Sequence, residues 1–296
     1  MHEMDERDWE RLIFQLNKGA CTPFLGAGAC AGVLPSGSEL SQTLADQWEY
    51  PYPDKGNLTK VAQYGTVKFG EAVYVKEKIC QVLSATGAVP DFGDPAEPHS
   101  MLARFPLPVY LTTNYDDFIV RSLRAVGKDP SVMLCPWNPG ITFDEELFRR
   151  KIGWNPQPDA PLVYHLHGRL GMPESIVVSE DDYLEFLTNL AFDRAADEPT
   201  MLPPVILGAL TTRSLLFIGY SLQDWTFRLL FNSLNRAVPG INRRRHLSVQ
   251  LSPEGDDAAV KVLQRQMEQH YGEWKVSIFW GTAEEFSKQL LGRMTT

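Results

Sequence analysis

What the chain lacks narrows the reading first. It has four cysteines, Cys21, Cys30, Cys80 and Cys135, and no two of them form a C-x-x-C pair. That scatter argues against a structural zinc site and against a disulfide framework, and it suits a reducing cytoplasm. No apolar run approaches the roughly 20 residues needed to span a bilayer. The opening Met1-His2-Glu3-Met4-Asp5-Glu6 lacks the basic-then-apolar order of a signal peptide. Basic charge is scarce as well: 28 Lys and Arg stand against 37 Asp and Glu, for a formal net charge of −9. That balance argues against a general affinity for nucleic-acid backbones or anionic membrane surfaces. The one dense basic run, Arg243-Arg244-Arg245, reads as a solvated loop before a strand. Internal repeats and low-complexity tracts are also missing.

What remains is an ordinary globular composition, 44% hydrophobic over 296 residues, enough for one large domain carrying an insertion. The organising stretch is Thr22-Pro23-Phe24-Leu25-Gly26-Ala27-Gly28-Ala29-Cys30-Ala31-Gly32. A short apolar run, readable as a buried strand, ends in Gly-Ala-Gly and passes into small residues that can open a helix. Glycines there allow backbone shapes other residues avoid and let a pyrophosphate come close to the main chain, facing the N–H groups of a helix start. The spacing is not a full G-x-G-x-x-G, because position 31 is Ala and the next glycine is Gly32. A Gly-rich turn with no ligand is the plain alternative.

Around that stretch the pattern predicts an amphipathic helix over 5–18, a helix from Ser38 to Tyr50, and a helix-like run from Leu58 to Leu83. A Gly/Pro/Asp-rich loop follows over 87–98. These residues, about 38–105, read as a helical module inserted beside a nucleotide-binding core within a single domain spanning 1–296. Strands are expected at 109–113, 162–166, 175–178, 214–220, 246–251 and 274–279. Helices should follow Asp117, Ser179, Ser221, Asp256 and Thr282, with a further helical or extended stretch near 201–210. Residues 127–160 read as a smaller irregular insertion with a short helix near 145–149. Alternation of this kind predicts an α/β, Rossmann-like, doubly wound and mostly parallel sheet covered on both faces.

In open parallel sheets the ligand lies beyond the carboxyl ends of the strands. Here those ends carry Gly26-Ala27-Gly28, Thr113-Asn114-Tyr115-Asp116, His167-Gly168 and Gly219-Tyr220-Ser221-Leu222-Gln223-Asp224. Small, polar and titratable residues thus collect where a site would be. His167 is a candidate general base or ribose-hydroxyl partner, since an ordinary imidazole titrates near neutral pH; a histidine bonding backbone at a strand end is the alternative. His165 is its rival on the same strand face, and the adjacent Gly168 points to His167. Asn114 both donates and accepts, which suits holding a water and a ribose hydroxyl, though Asn also forms turns. Asp116 reads as a hydrogen-bond acceptor for a ligand or as the cap of the next helix. Cys30 as a nucleophile has no base placed beside it by the sequence, and a packing role competes.

Taken together and in this order, the four strand-end motifs resemble the sirtuin superfamily, and more closely the SIR2-like domains of bacterial anti-phage defence proteins. Pro35-Ser36-Gly37 and Ser179-Glu180-Asp181-Asp182-Tyr183 fit that branch as well. The resemblance runs from about Phe24 to about Phe286. It implies a Rossmann-like domain that takes NAD as substrate and hydrolyses it to ADP-ribose and nicotinamide. Asn114 and His167 would form the catalytic pair, and Gly26, Ala27, Gly28, Cys30, Thr113, Asp116, Gly219, Ser221 and Asp224 would line the cofactor site. Deacylating sirtuins carry two zinc-binding C-x-x-C pairs and a Pro-Asp-Phe-Arg segment; this chain has neither, so no zinc is expected. Cys30 also replaces the usual serine. The resemblance further implies control by self-assembly into a homo-oligomer or by a partner such as an ATPase. A non-catalytic NAD or ADP-ribose sensor and a zinc-free deacylase are the competing readings.

Overall fold

The computed structural model describes residues 4–141, 155–193, 200–220, 244–253, 255–272 and 275–294. Seven strands form one sheet, β1 (Cys21–Leu25), β2 (Val109–Thr112), β3 (Ser131–Leu134), β4 (Leu162–His165), β5 (Ser214–Ile218), β6 (His246–Gln250) and β7 (Val276–Trp280). Their spatial order is β3-β4-β2-β1-β5-β6-β7, and every pair is parallel. Strands β1, β2, β4 and β5 are buried throughout, as expected of strands covered on both faces. This is the Rossmann-like α/β architecture anticipated above.

Successive residues on a strand face opposite layers, and the core divides accordingly. Phe24, Leu111, Tyr164, Phe217 and Ile278 pack with α7 (Glu180–Asp193), α8 (Pro204–Thr212) and α9 (Asp257–Gly272) on one side. Leu25, Tyr110, Val163, Leu216 and Ile218 pack with α1 (Glu6–Asn17), α5 (Pro98–Ala103), α6 (Phe118–Ala125) and α10 (Ala283–Met294) on the other. Between β1 and β2 the chain makes α2 (Gly37–Gln47), α3 (Leu58–Phe69) and α4 (Ala72–Ala85), whose Leu40, Leu44, Val61 and Ile79 join a separate apolar cluster with Ile176 and Val178.

Three local expectations change. The run 58–83 is two helices, because Gly70 stops α3 at φ +73°. The 175–178 segment is not a strand: a 3-10 turn over Pro173–Ser175 precedes it, and the Val177 N–H reaches the His167 carbonyl at 3.1 Å. The 127–160 stretch contains β3, a short and half-exposed edge strand whose two-sided pattern is too weak to read from sequence. The helices expected near 145–149 and after Ser221 lie outside the described residues.

One buried histidine makes the fold acid-sensitive. His246 opens β6, and its Nδ1 accepts the Leu215 N–H at 3.0 Å. Burial, with Lys275 nearby, pushes its pKa from 6.5 down to about 4. Between those values the unfolded chain takes up a proton that the folded chain refuses. Stability from this group is therefore whole above pH 6.5 and falls as pH drops toward 4, by roughly 3 kcal/mol in all. Urea unfolding across that window should record the loss, and His246→Gln should reduce it.

Candidate active site

β1 gives way directly to the glycine turn. Gly26 is extended, and Ala27–Cys30 form one 3-10 turn rather than an α-helix. Pro35-Ser36-Gly37 instead opens α2, with Ser36 and Glu39 bonding reciprocally as a capping box. The turn is stitched to the exit of β5: the Gly26 N–H donates to the Ile218 carbonyl and the Gly28 N–H to the Gly219 carbonyl, both at 2.9 Å. A Cβ on Gly26 would stand 2.6 Å from the Gly219 oxygen, and one on Gly28 would stand 2.8 Å from the Gly219 Cα. The demand for glycine here comes from backbone packed on backbone, a different reason from the pyrophosphate approach expected above.

Because β4, β2, β1 and β5 are neighbours, their carboxyl ends converge on one cavity of about 340 Å³. Gly26, Ala27, Cys30, Thr113, Asn114, Asp116, His167 and Gly219 all line it. Gly28 lies just behind, against Gly219, while Ser221 and Asp224 are outside the described residues. The sequence reading missed the apolar wall from the inserted helices and their neighbours, to which Leu34, Leu40, Leu58, Leu83, Leu170 and Tyr183 contribute. Nothing in their local pattern separates these side chains from ordinary core.

Asn114 is held firmly. Its Nδ2 donates to the Gly26 carbonyl at 3.0 Å and to Cys30 Sγ at 3.3 Å, and its backbone N–H donates to Thr112 Oγ1 at 3.0 Å. With both amide hydrogens engaged, the side-chain oxygen is the atom left to accept from a ligand. Asp116 accepts the Phe118 N–H on one oxygen at 2.9 Å and the Cys30 S–H on the other at 3.2 Å. It thus supports the start of α6 and faces the cavity at once. Thr113 is tied back to the Leu25 carbonyl.

The two histidines part company where the strand ends. β4 stops at His165, which is almost wholly buried, with Nδ1 donating to the Asn114 carbonyl at 3.2 Å. Burial holds its pKa below the ordinary value, so it stays neutral. It lies outside the cavity lining, where it supports the Asn114 backbone. His167 is 6% exposed and lines the cavity, its ring edge-on to Tyr183 and Phe186 at 5.5 and 5.2 Å. Gly168 permits the departure at φ +82°, since a Cβ would fall 2.2 Å from the Ser175 carbonyl oxygen.

A buried ion pair braces the wall behind His167. Lys76 Nζ on α4 meets Asp182 Oδ1 on α7 at 2.7 Å and sits 5.0 Å above the Trp137 ring. The second carboxylate oxygen accepts the Val178 and Ser179 N–H groups, both at 3.0 Å, and Tyr115 Oη donates to the Val177 carbonyl at 2.7 Å. Asp182→Ala would leave a buried ammonium and two N–H groups unpaired. The expected loss is about 3–5 kcal/mol, measurable by chemical denaturation.

Among the described residues no helix is long and apolar enough to cross a membrane. Comparison with known proteins agrees with the strand-end motifs. A family model described as a SIR2-like domain matches residues 108–272. Among curated proteins, the NAD(+) hydrolase ThsA of Cytobacillus dafuensis is 28% identical over 227 residues, covering 75% of this chain and 39% of that protein. The proteins of the same name from Acinetobacter baumannii and Enterococcus faecium are 24% and 26% identical, covering 73% and 81% of this chain and 39% and 45% of theirs. The chain thus spans about two fifths of the length of these relatives.

Proposed function

The chain belongs to the SIR2-like domain family, and on that premise we propose that it hydrolyses NAD to ADP-ribose and nicotinamide. The observation that carries the reading is the meeting of Asn114, His167, the glycine turn and Gly219 on one cavity at the carboxyl edge of four adjacent strands. Relatives named as NAD(+) hydrolases support it.

The scissile bond joins nicotinamide to the anomeric carbon of a ribose. The leaving group is a cationic pyridinium, so its departure as neutral nicotinamide requires no strong acid. The demand falls on stabilising an oxocarbenium-like centre and on positioning water. The Asn114 side-chain oxygen holds the attacking water or a ribose hydroxyl. His167 takes the proton as water adds to the anomeric carbon. Asp116 is a carboxylate within the same cavity for the nicotinamide amide or the pyridinium charge. The glycine turn, Thr113 and the Gly219 turn hold the remainder of the nucleotide, the role the family resemblance also implies for Ser221 and Asp224. Cys30 supports Asn114 through the amide it accepts.

Such an activity fits anti-phage defence by NAD depletion, with turnover governed by self-assembly or by a partner protein, in a single domain whose helices between β1 and β2 form one wall of the site. The test is product analysis of NAD incubated with purified protein over a range of protein concentrations. Nicotinamide and ADP-ribose in equal amounts are expected, rising more than proportionally if assembly activates the enzyme. Stoichiometric NAD binding with no turnover at any concentration would overturn the hydrolase reading in favour of a sensor.

A further inference from the structure

The sequence offers no zinc motif, yet the fold assembles a different ligand set. We propose that Cys30, His99 and Asp116 form a site for a divalent cation of the zinc class at the floor of the cavity. Their ligand atoms all lie within 4.8 Å of one another, and all three residues are buried. Cys30 Sγ stands 3.2 Å from Asp116 Oδ2 and 4.0 Å from His99 Nε2. For metal–ligand bonds of 2.0–2.3 Å, a tetrahedral site has edges of about 3.5 Å, so small shifts of these side chains admit the ion.

The arrangement behind the ligands is the stronger argument. Glu97 accepts the Ser100 N–H on one oxygen at 2.7 Å and engages His99 Nδ1 with the other at 2.6 Å. With Nδ1 carrying the hydrogen toward that carboxylate, the lone pair of Nε2 is turned to Cys30. A carboxylate behind a histidine is the usual support of a metal-bound imidazole. The donor set, one sulfur, one imidazole nitrogen and one oxygen, selects zinc-like ions over magnesium or calcium. One thiolate and one carboxylate neutralise a divalent ion, which removes the main penalty for burying it. On binding, the Cys30 S–H proton leaves to water and the sulfur bonds the metal; no oxidation state changes. Cys30 and Asp116 both line the cavity, which supplies the entry route and a fourth position open to solvent or ligand.

The consequence for turnover rests on the hydrolase reading; binding itself does not. An occupied site engages Asp116, alters the sulfur that receives the Asn114 amide, and cancels the carboxylate charge offered to the cationic leaving group. Zinc therefore inhibits.

The experiment titrates cobalt(II) into chelator-treated full chain under a non-chelating reductant. One equivalent should produce a thiolate-to-cobalt charge-transfer band that zinc then displaces. Cys30→Ser should abolish the band, and Cys80→Ser should leave it. Glu97→Gln, which keeps an oxygen for the Ser100 cap, should weaken cobalt binding about 10–100-fold. Absence of the band, or its survival in Cys30→Ser, would overturn the site. A band with the expected variant pattern in a protein that never cleaves NAD would uphold the site and remove the hydrolase reading instead.

Discussion

Replacing His167 with alanine is expected to lower NAD cleavage by about 100- to 10,000-fold, the range for losing a general base. The ring is the imidazole that lines the cavity together with Asn114, whereas the Asp116 carboxylate already accepts from the Phe118 N–H and the Cys30 S–H. His165 lies outside the lining, with its Nδ1 committed to the Asn114 carbonyl. Loss of the edge-on contacts to Tyr183 and Phe186 should cost only about 1–2 kcal/mol. The variant should therefore remain folded by circular dichroism and should still bind NAD by calorimetry. His165→Gln sets the contrast. It perturbs a buried support of the Asn114 backbone, so it should lower the unfolding midpoint more than His167→Ala does, whatever its effect on rate. Retention of cleavage within about tenfold of wild type in His167→Ala would remove this residue from the mechanism.

The largest effect on the fold itself should come from Gly219→Ala. A Cβ there would lie 2.0 Å from the Ala29 nitrogen and 2.4 Å from the Gly28 carbonyl carbon, and φ is +70°. Neither neighbour is a flexible side chain that can swing aside; both are main chain. Relief requires the glycine turn to lift off β5, which breaks the hydrogen bonds of Gly26 to Ile218 and of Gly28 to Gly219. The expected loss exceeds about 4 kcal/mol, beyond the range of common substitutions, with nucleotide binding lost in any protein that survives. Gly32→Ala is the control. It too has positive φ, +80°, but open space surrounds it, so it should cost only about 1 kcal/mol. Equal urea midpoints for the two variants would refute the packing argument.

Much of this molecule follows from local pattern. Fully apolar runs such as Leu215-Leu216-Phe217-Ile218 must be buried on both sides, and polar residues gather where those runs stop. Residues 36 and 39 cap α2 within a single turn of helix. Such features depend on neighbours a few residues apart, so the sequence alone determined the parallel α/β architecture, most helices and the residues at the strand ends.

Tertiary structure decided the rest, because strand order and side-chain meeting depend on pairings across large sequence separations that no local period encodes. The order β3-β4-β2-β1-β5-β6-β7 puts the four motif-bearing strands side by side. The chain leaving the sheet after residue 165 separates two histidines of the same parity. Lys76 finds Asp182 across 106 residues, and Cys30 finds Asp116 across 86. The glycines of the first turn have a requirement visible only once β5 lies against them.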